Sequence, residues 1–238
     1  MIRLLIAYAY LALFILFAGP VLILHAVFTG RSNVMYRYGL GGVVLMTRIL
    51  GMRVRVEGAE NIPAGACLFI ANHTGNADAP AIVDSIPRQI AVIAKKSLFT
   101  IPLVGRAFRI AHFIPVDRSN RESAIASVDA AVALMKQGVS FLIYAEGTRS
   151  ADGRLLPFKK GAFVLAIKAG VPIVPVACSG AHRIWPKNRN RIQPGEVVVR
   201  FCPPVDASAY KYDQREALAK HVHDAIAAAL PADQRPAV

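Results

Sequence analysis

The chain has 238 residues, 55% of them apolar, and 28 Lys+Arg against 15 Asp+Glu leave a formal charge of +13. That length allows one large α/β domain or two small ones, and a mean hydropathy of +0.42 is high for a soluble protein. A basic, apolar chain points to an anionic membrane surface or phosphorylated substrates, and without an aromatic-basic platform nucleic-acid binding is the weakest reading.

Residues Leu4 to Phe28 carry no charge and exceed the roughly 20 apolar residues a bilayer-crossing helix needs. Gly19-Pro20 interrupts the run, so a span, a bent re-entrant hairpin and a helix pair within one leaflet all remain open. A signal peptide with Arg3 as its basic start competes, but the run is longer than a usual signal core and no small-residue cleavage site follows it. Arg31, Arg37, Arg48, Arg53 and Arg55 come next, ahead of the first acid, Glu57. Positive residues beside an apolar segment mark the cytoplasmic side and attract anionic headgroups. Met35, Tyr38, Leu45, Met46 and Ile49 give this segment an apolar face that fits an interfacial helix or a core helix equally. The expected organisation is an anchoring helical segment over 1–53 and an α/β domain over 54–238.

From residue 54 strand-like and helix-like runs alternate. Strands are expected at Val54 to Val56, Leu68 to Ala71, Ile90 to Ala94, Val139 to Ala145, Val171 to Cys178 and Val197 to Phe201. Helices are expected over Ala79 to Ile86, from a cap at Ser119 or Asn120 to Gly138, and over Gly161 to Ala169 before Gly170. A last helix starts with a capping-box-like Asp213-x-x-Glu216 and buries Leu218, Val222, Ile226 and Leu230. This alternation predicts a largely parallel central sheet flanked by helices. Two prolines in Val171-Pro172-Ile173-Val174-Pro175-Val176 suit an edge strand or a pocket wall. Cys67, Cys178 and Cys202 lie in apolar runs without C-x-x-C, so buried free thiols are expected, with no zinc site or disulfide framework.

The chemistry gathers at strand ends. Asn72-His73-Thr74-Gly75-Asn76-Ala77-Asp78 follows the second strand, where open α/β proteins place their sites. Histidine is the commonest general base, and a carboxylate can hold its tautomer. Five residues apart on one helix would set His73 and Asp78 about 140° apart, so the pair needs His73 ahead of the helix. Asp78 could instead be only an N-cap. Arg118 and Arg149 have the planar fork that grips phosphate, Gly147 lets backbone approach a ligand, and Lys159 and Lys160 add positive charge. A surface ion pair such as Asp117 with Arg121 is the competing use of such charges. His221 and His223 fall on the polar side of the last helix and read as solvated. G-x-S-x-G, G-x-x-x-x-G-K-[ST] and H-E-x-x-H do not occur.

The ordered set Asn72-His73-x4-Asp78, Ile114-Pro115-Val116-Asp117-Arg118, Glu146-Gly147-Thr148-Arg149-Ser150 and Val171-Pro172-Ile173-Val174-Pro175 resembles the four blocks of the glycerolipid acyltransferase family. The likeness is closest to its 1-acylglycerol-3-phosphate acyltransferases and spans Cys67 to Cys178. It implies that His73, oriented by Asp78, takes the proton of a glycerol hydroxyl attacking an acyl thioester. It implies that Arg118, Glu146, Gly147, Thr148 and Arg149 place the acceptor phosphate, and that Val171, Pro172, Ile173 and Pro175 wall the donor pocket. The donor would be acyl-CoA or an acyl carrier protein, the acceptor lysophosphatidic acid and the product phosphatidic acid, with no cofactor or metal. The setting would be a membrane, with the catalytic domain on its cytoplasmic side. Two positions depart from the pattern: Thr74-Gly75 stands where the family usually has Gln-Ser, and His112 and Pro115 where it often has Gly and Phe. A lyso-ornithine lipid or another lysolipid as acceptor, or a non-catalytic lipid-binding membrane protein, are the alternatives.

Overall fold

The computed structural model describes residues 2–117, 120–187 and 192–236, with the backbone alone at residue 121. One sheet holds β1 (Met52–Glu57), β2 (Leu68–Ala71), β3 (Ile90–Lys95), β4 (Ile114–Val116), β5 (Ser140–Tyr144), β6 (Ile173–Ser179) and β7 (Gly195–Phe201) in the order β1-β7-β6-β2-β5-β3-β4. Every neighbouring pair is parallel except β6 with β7. Strand side chains alternate between faces. Leu68 and Ile70 of β2 therefore enter a core under α6 (Arg121–Lys136), α7 (Gly161–Ala169) and α9 (Arg215–Ala229). Phe69 and Ala71 enter a second core with Ile82 of α4 (Asp78–Asp84).

Two strand-level expectations need correction. The Val171–Val176 run is no edge: Ile173–Ser179 lies between β2 and β7, with Ile70 opposite Pro175. The missing N–H of Pro175 is tolerated because the regular β6–β7 pairing covers only Val176 to Ser179. Beside Pro175, chain beyond β7 closes the gap, where Cys202 N–H donates to Pro175 O at 2.8 Å. At the last helix, Asp213 and Glu216 do not cap. A short 3₁₀ turn over Tyr212–Gln214 precedes α9, and Lys211 N–H donates to Gln214 Oε1 at 2.8 Å. Glu216 pairs instead with Lys160. Asn120 does cap α6, accepting from Ser123 N–H at 2.9 Å, while Ser119 lies outside the described residues.

The N-terminal apolar run is one helix. α1 (Ile2–Leu13), a π-helical segment over Phe14–Ala18 and α2 (Gly19–Thr29) run on for 28 residues through Pro20, so of the arrangements left open at Gly19-Pro20 neither the hairpin nor the helix pair within this run occurs. Gly19 N–H donates to Phe14 O in the wider π pattern, and Pro20, with no N–H to give, follows where that pattern ends. Gly30, at φ 68°, then turns the chain and α3 (Ser32–Ile49) packs back along both α1 and α2. Gly42 of α3 makes the close approach possible, since a Cβ there would sit 2.4 Å from the Phe14 ring.

The core-helix reading of the 31–55 segment holds for one face of α3, and its opposite face is exposed. Tyr36 and Leu40 pack on the sheet's second core, while Tyr38 and Leu45 face outward. The helix pair is thus built onto the domain, and the 53/54 boundary falls inside β1. Its outer surface is strongly apolar, with Ile2, Phe17 and Phe28 at 74%, 68% and 83% exposure.

Candidate active site

β2 sits between β5 and β6, and chain leaving its C-terminal end crosses to β3 on one side while the later chain returns through β6 on the other. Such a switch point opens a crevice at the strand ends. Asn72 continues β2 with its side chain: its amide donates to Cys178 O at 2.8 Å and accepts Cys178 N–H at 2.7 Å. That ladder-like pair fixes the point at which the backbone turns away.

His73 then precedes the helix, as the geometry of the pair requires, and Asp78 is the first residue of α4, fully buried. His73 Nδ1 lies 2.8 Å from Asp78 Oδ2. The same carboxylate accepts Thr74 N–H at 2.6 Å, Gly75 N–H at 2.9 Å, the Thr74 hydroxyl at 3.3 Å and the Cys178 thiol at 3.5 Å. Asp78 is therefore not the N-cap, which is Ala77 with no side-chain cap bond; its carboxylate holds the backbone of the preceding turn and the imidazole together. A carboxylate supplied with so many donors stays an acceptor, so Nδ1 carries the ring proton and Nε2 is left as the basic nitrogen. Tyr144, at the end of β5, stacks on the imidazole with centroids 3.9 Å apart and planes inclined 17°. Burial pushes the Tyr144 phenol and the Cys178 thiol far above their ordinary values, so both stay protonated beside Asp78.

The Glu146-Gly147-Thr148-Arg149 turn meets this centre from β5. His73 N–H donates to Glu146 Oε1 at 2.9 Å, and Ser150 N–H donates to His73 O at 2.8 Å. Glu146 is 3% exposed, and among the described residues its Oε2 makes no close hydrogen bond, with only the Leu156 backbone turned towards the carboxyl. Burial raises its carboxyl from 4.5 to about 8, against the lowering effect of the His73 backbone bond. It is chiefly neutral at pH 7, a donor as well as an acceptor. Gly147 adopts φ 72°, a conformation open to glycine, and a Cβ there would meet the end of Lys159 at about 3 Å. The Arg149 guanidinium bonds Asn76 Oδ1 across the crevice.

Of the sequence-derived site residues, the structure brings His73, Asp78, Glu146, Gly147, Thr148 and Arg149 together. Arg118 and the Arg121 side chain of the supposed Asp117 pair lie outside the described residues. Of the expected donor-pocket set, Val171, Ile173 and Pro175 are buried, the first two in the core beneath α6, α7 and α9, and Pro172 is half-buried. Lys160 is taken by Glu216, and His223 is not solvated but packs edge-on against Phe158, its pKa lowered by burial. The three cysteines are free and buried, as expected.

Asn72, Tyr144 and Asn76 were not assigned roles from sequence, although all three flank or fall inside the quoted blocks. The fourth unassigned contributor is distant. The segment after β6, containing α8 (Ala181–Ile184), folds over the turn: Asn76 N–H donates to Trp185 O at 2.9 Å and Gly75 bridges to Pro186. A Cβ on Gly75 would lie 2.7 Å from Ala181 O and 2.9 Å from Trp185 O, so this chain has no room for a side chain at that position. Trp185 and Ile192 also pack against Ala7, Met46 and Leu50 of the helix pair.

Comparison with known proteins agrees with this geometry. A family model described as Acyltransferase matches residues 53–179, more than half of the chain. The chain belongs to the acyltransferase family and is an enzyme of that class. It is similar to a 1-acyl-sn-glycerol-3-phosphate acyltransferase of Limnanthes douglasii, 36% identical over 207 residues, which are 87% of this chain and 73% of that one. A protein of the same description from Salmonella typhimurium is 40% identical over 164 residues, 68% of this chain and 65% of the relative. The crystal structure of the 1-acyl-sn-glycerophosphate (LPA) acyltransferase PlsC from Thermotoga maritima superposes with a TM-score of 0.83 at 30% identity, covering 94% of this chain and 92% of that one.

Proposed function

We propose that this enzyme transfers an acyl chain from acyl-CoA or an acyl carrier protein to the free hydroxyl of lysophosphatidic acid, giving phosphatidic acid. The observation that carries the reading is the His73–Asp78 pair at 2.8 Å, with Asp78 buried among donors and Nε2 left basic. Nε2 takes the hydroxyl proton as the oxygen attacks the thioester carbonyl. The C–S bond then breaks, and the departing thiolate takes the proton from the imidazolium. A positioned base contributes about 10²–10⁴-fold to such a step, and direct transfer requires no covalent enzyme intermediate. The neutral carboxyl of Glu146 and the guanidinium of Arg149 hold the acceptor's polar end, with Gly147 admitting it to the backbone. Arg118 joins them on the strength of the family resemblance alone.

The apolar outer face of the α1–α2 rod, beside Arg31, Arg37 and Arg48, supports membrane attachment with the catalytic domain on the cytoplasmic side. An acceptor and product that both reside in lipid suit that placement. The test is purified enzyme with labelled acyl-CoA or acyl carrier protein against lysophosphatidic acid, a lyso-ornithine lipid and lysophospholipid diesters. Preference for lysophosphatidic acid, abolished in His73→Ala, is the expected result. Unchanged turnover in His73→Ala sinks the base, and preference for the lyso-ornithine lipid reassigns the acceptor.

A further inference from the structure

Positive charge collects on the Gly147-Thr148-Arg149 turn from three separate parts of the chain. Arg149 belongs to the turn. The Lys159 ammonium end lies against Gly147, close enough that a Cβ there would meet Nζ at 3.0 Å. Lys187 arrives from the segment after α8, beyond the residues matched by the family model. Its Nζ donates to the Thr148 hydroxyl and to Arg149 O, both at 3.1 Å. These partners are neutral, and a lysine has three donors, so one remains to serve another acceptor. Among the described residues no carboxylate pairs with Lys159, Lys187 or Arg149; the ion pairs lie elsewhere, as in Lys160–Glu216, Lys168–Asp129 and Arg183–Asp233. Three cations therefore border one turn with no ion pair among the described residues, and an anion seated there gains from the charge of each. Lys187 is also half-buried, where the attraction is less screened than on open surface.

We propose that Lys187 is a specificity-determining residue that reads the second negative charge of a phosphomonoester headgroup on the acceptor, beside Arg149 and Lys159. The inference rests on the acyl-acceptor reading above and adds to it the discrimination of monoester from diester. Arg149 can grip either headgroup with its fork. A diester carries one charge and has one phosphate oxygen capped by an alcohol. A third cation at Thr148 therefore gains most with a doubly charged, uncapped phosphate.

The test uses the full-length enzyme in detergent with Lys187→Met, which keeps the apolar stem, and Lys187→Arg, which keeps the charge. With lysophosphatidic acid, Lys187→Met should raise KM about tenfold and leave kcat within about threefold, whereas KM for lysophosphatidylglycerol stays the same. Lys187→Arg should recover most of the loss. A second measurement does not depend on turnover: glycerol 3-phosphate binding by calorimetry to His73→Ala protein, with and without Lys187→Met, where about a tenfold weaker Kd is expected. If Lys187→Met lowers kcat on both acceptors alike, or leaves glycerol 3-phosphate binding unchanged, Lys187 is a clamp on the 148–149 backbone and the proposal is overturned. Absence of acyl transfer to any lysolipid would refute the acceptor reading, while the calorimetric comparison would still decide the role of Lys187.

Discussion

Glu146→Gln tests the electrostatics of the site through stability rather than rate. The Glu146 carboxyl is 3% exposed, has one oxygen on His73 N–H at 2.9 Å and the other without a close hydrogen bond among the described residues, and burial lifts its pKa from 4.5 to about 8. Between those two values the folded protein holds a proton that the unfolded chain has released. Stability therefore falls as pH rises through that window, the reverse of a salt-bridged carboxylate. Each pH unit of separation is worth about 1.4 kcal/mol, so the full loss across a window from 4.5 to about 8 is on the order of 5 kcal/mol. Glutamine has the same shape, keeps an acceptor for His73 N–H and never ionises. The variant should therefore be close to the parent at pH 5 and more stable at pH 9. For a chain of this size about 1 kcal/mol moves Tm by about 2–4 °C, so the gap should widen by on the order of 10 °C. The measurement is thermal unfolding of both proteins in one detergent at pH 5, 6, 7, 8 and 9. Parallel Tm curves for parent and variant would refute the argument, because they would mean that Glu146 ionises in the fold as easily as in water.

Asp78→Asn leaves the shape of the turn but replaces the acceptor that holds Nδ1–H, and kcat should fall by about 10²–10⁴-fold with little change in acceptor KM, read by steady-state kinetics. Gly75→Ala places a methyl 2.7 Å from Ala181 O and should lower stability by about 1–3 kcal/mol, seen as a lower Tm; an unchanged Tm would mean the α8 segment yields freely. Gly42→Leu drives a side chain into the Phe14 ring and should splay α3 from the α1–α2 rod, detected as faster proteolysis of the N-terminal helix in detergent. Pro20→Ala restores an N–H at the end of the π-helical segment and should leave Tm the same or higher, since the helix already runs on through this position.

Local pattern made much of this protein legible. The short apolar runs became β2, β3, β5 and β7 within a residue or two, because strands of a sheet covered on both faces carry apolar side chains in near-continuous runs. What failed did so for non-local reasons. Pro172 and Pro175 read as an edge because a central strand ordinarily needs its N–H groups on both sides. Nothing near them in sequence tells that regular β7 pairing stops short of Pro175. The short helix α5 (Val104–Ile110) escaped notice behind Pro102, and Leu103 enters it at φ 62°, a conformation imposed by surrounding contacts rather than by leucine itself. The π-helical segment hid likewise, since Gly19-Pro20 carries an ordinary break signal, and the packing of α3 along both α1 and α2 is not written near it in sequence.

The amino-acid order by itself determined that His73 precedes a helix opened by Asp78, five residues on, which makes the pair possible; long-range bonds to Cys178, Glu146, Ser150 and Trp185 hold the turn that joins them. It also determined the apolar rod, a matter of composition over one continuous stretch. Tertiary structure alone decided what surrounds the base. Tyr144 reaches His73 through the β2–β5 pairing, Cys178 and Asn72 meet through β2–β6, and Lys187 reaches Thr148 by a fold-back of 39 residues. Contacts of such range leave no periodicity in the sequence to be read. They arise when the two faces of the sheet are buried and the loops at its C-terminal edge are forced into one crevice.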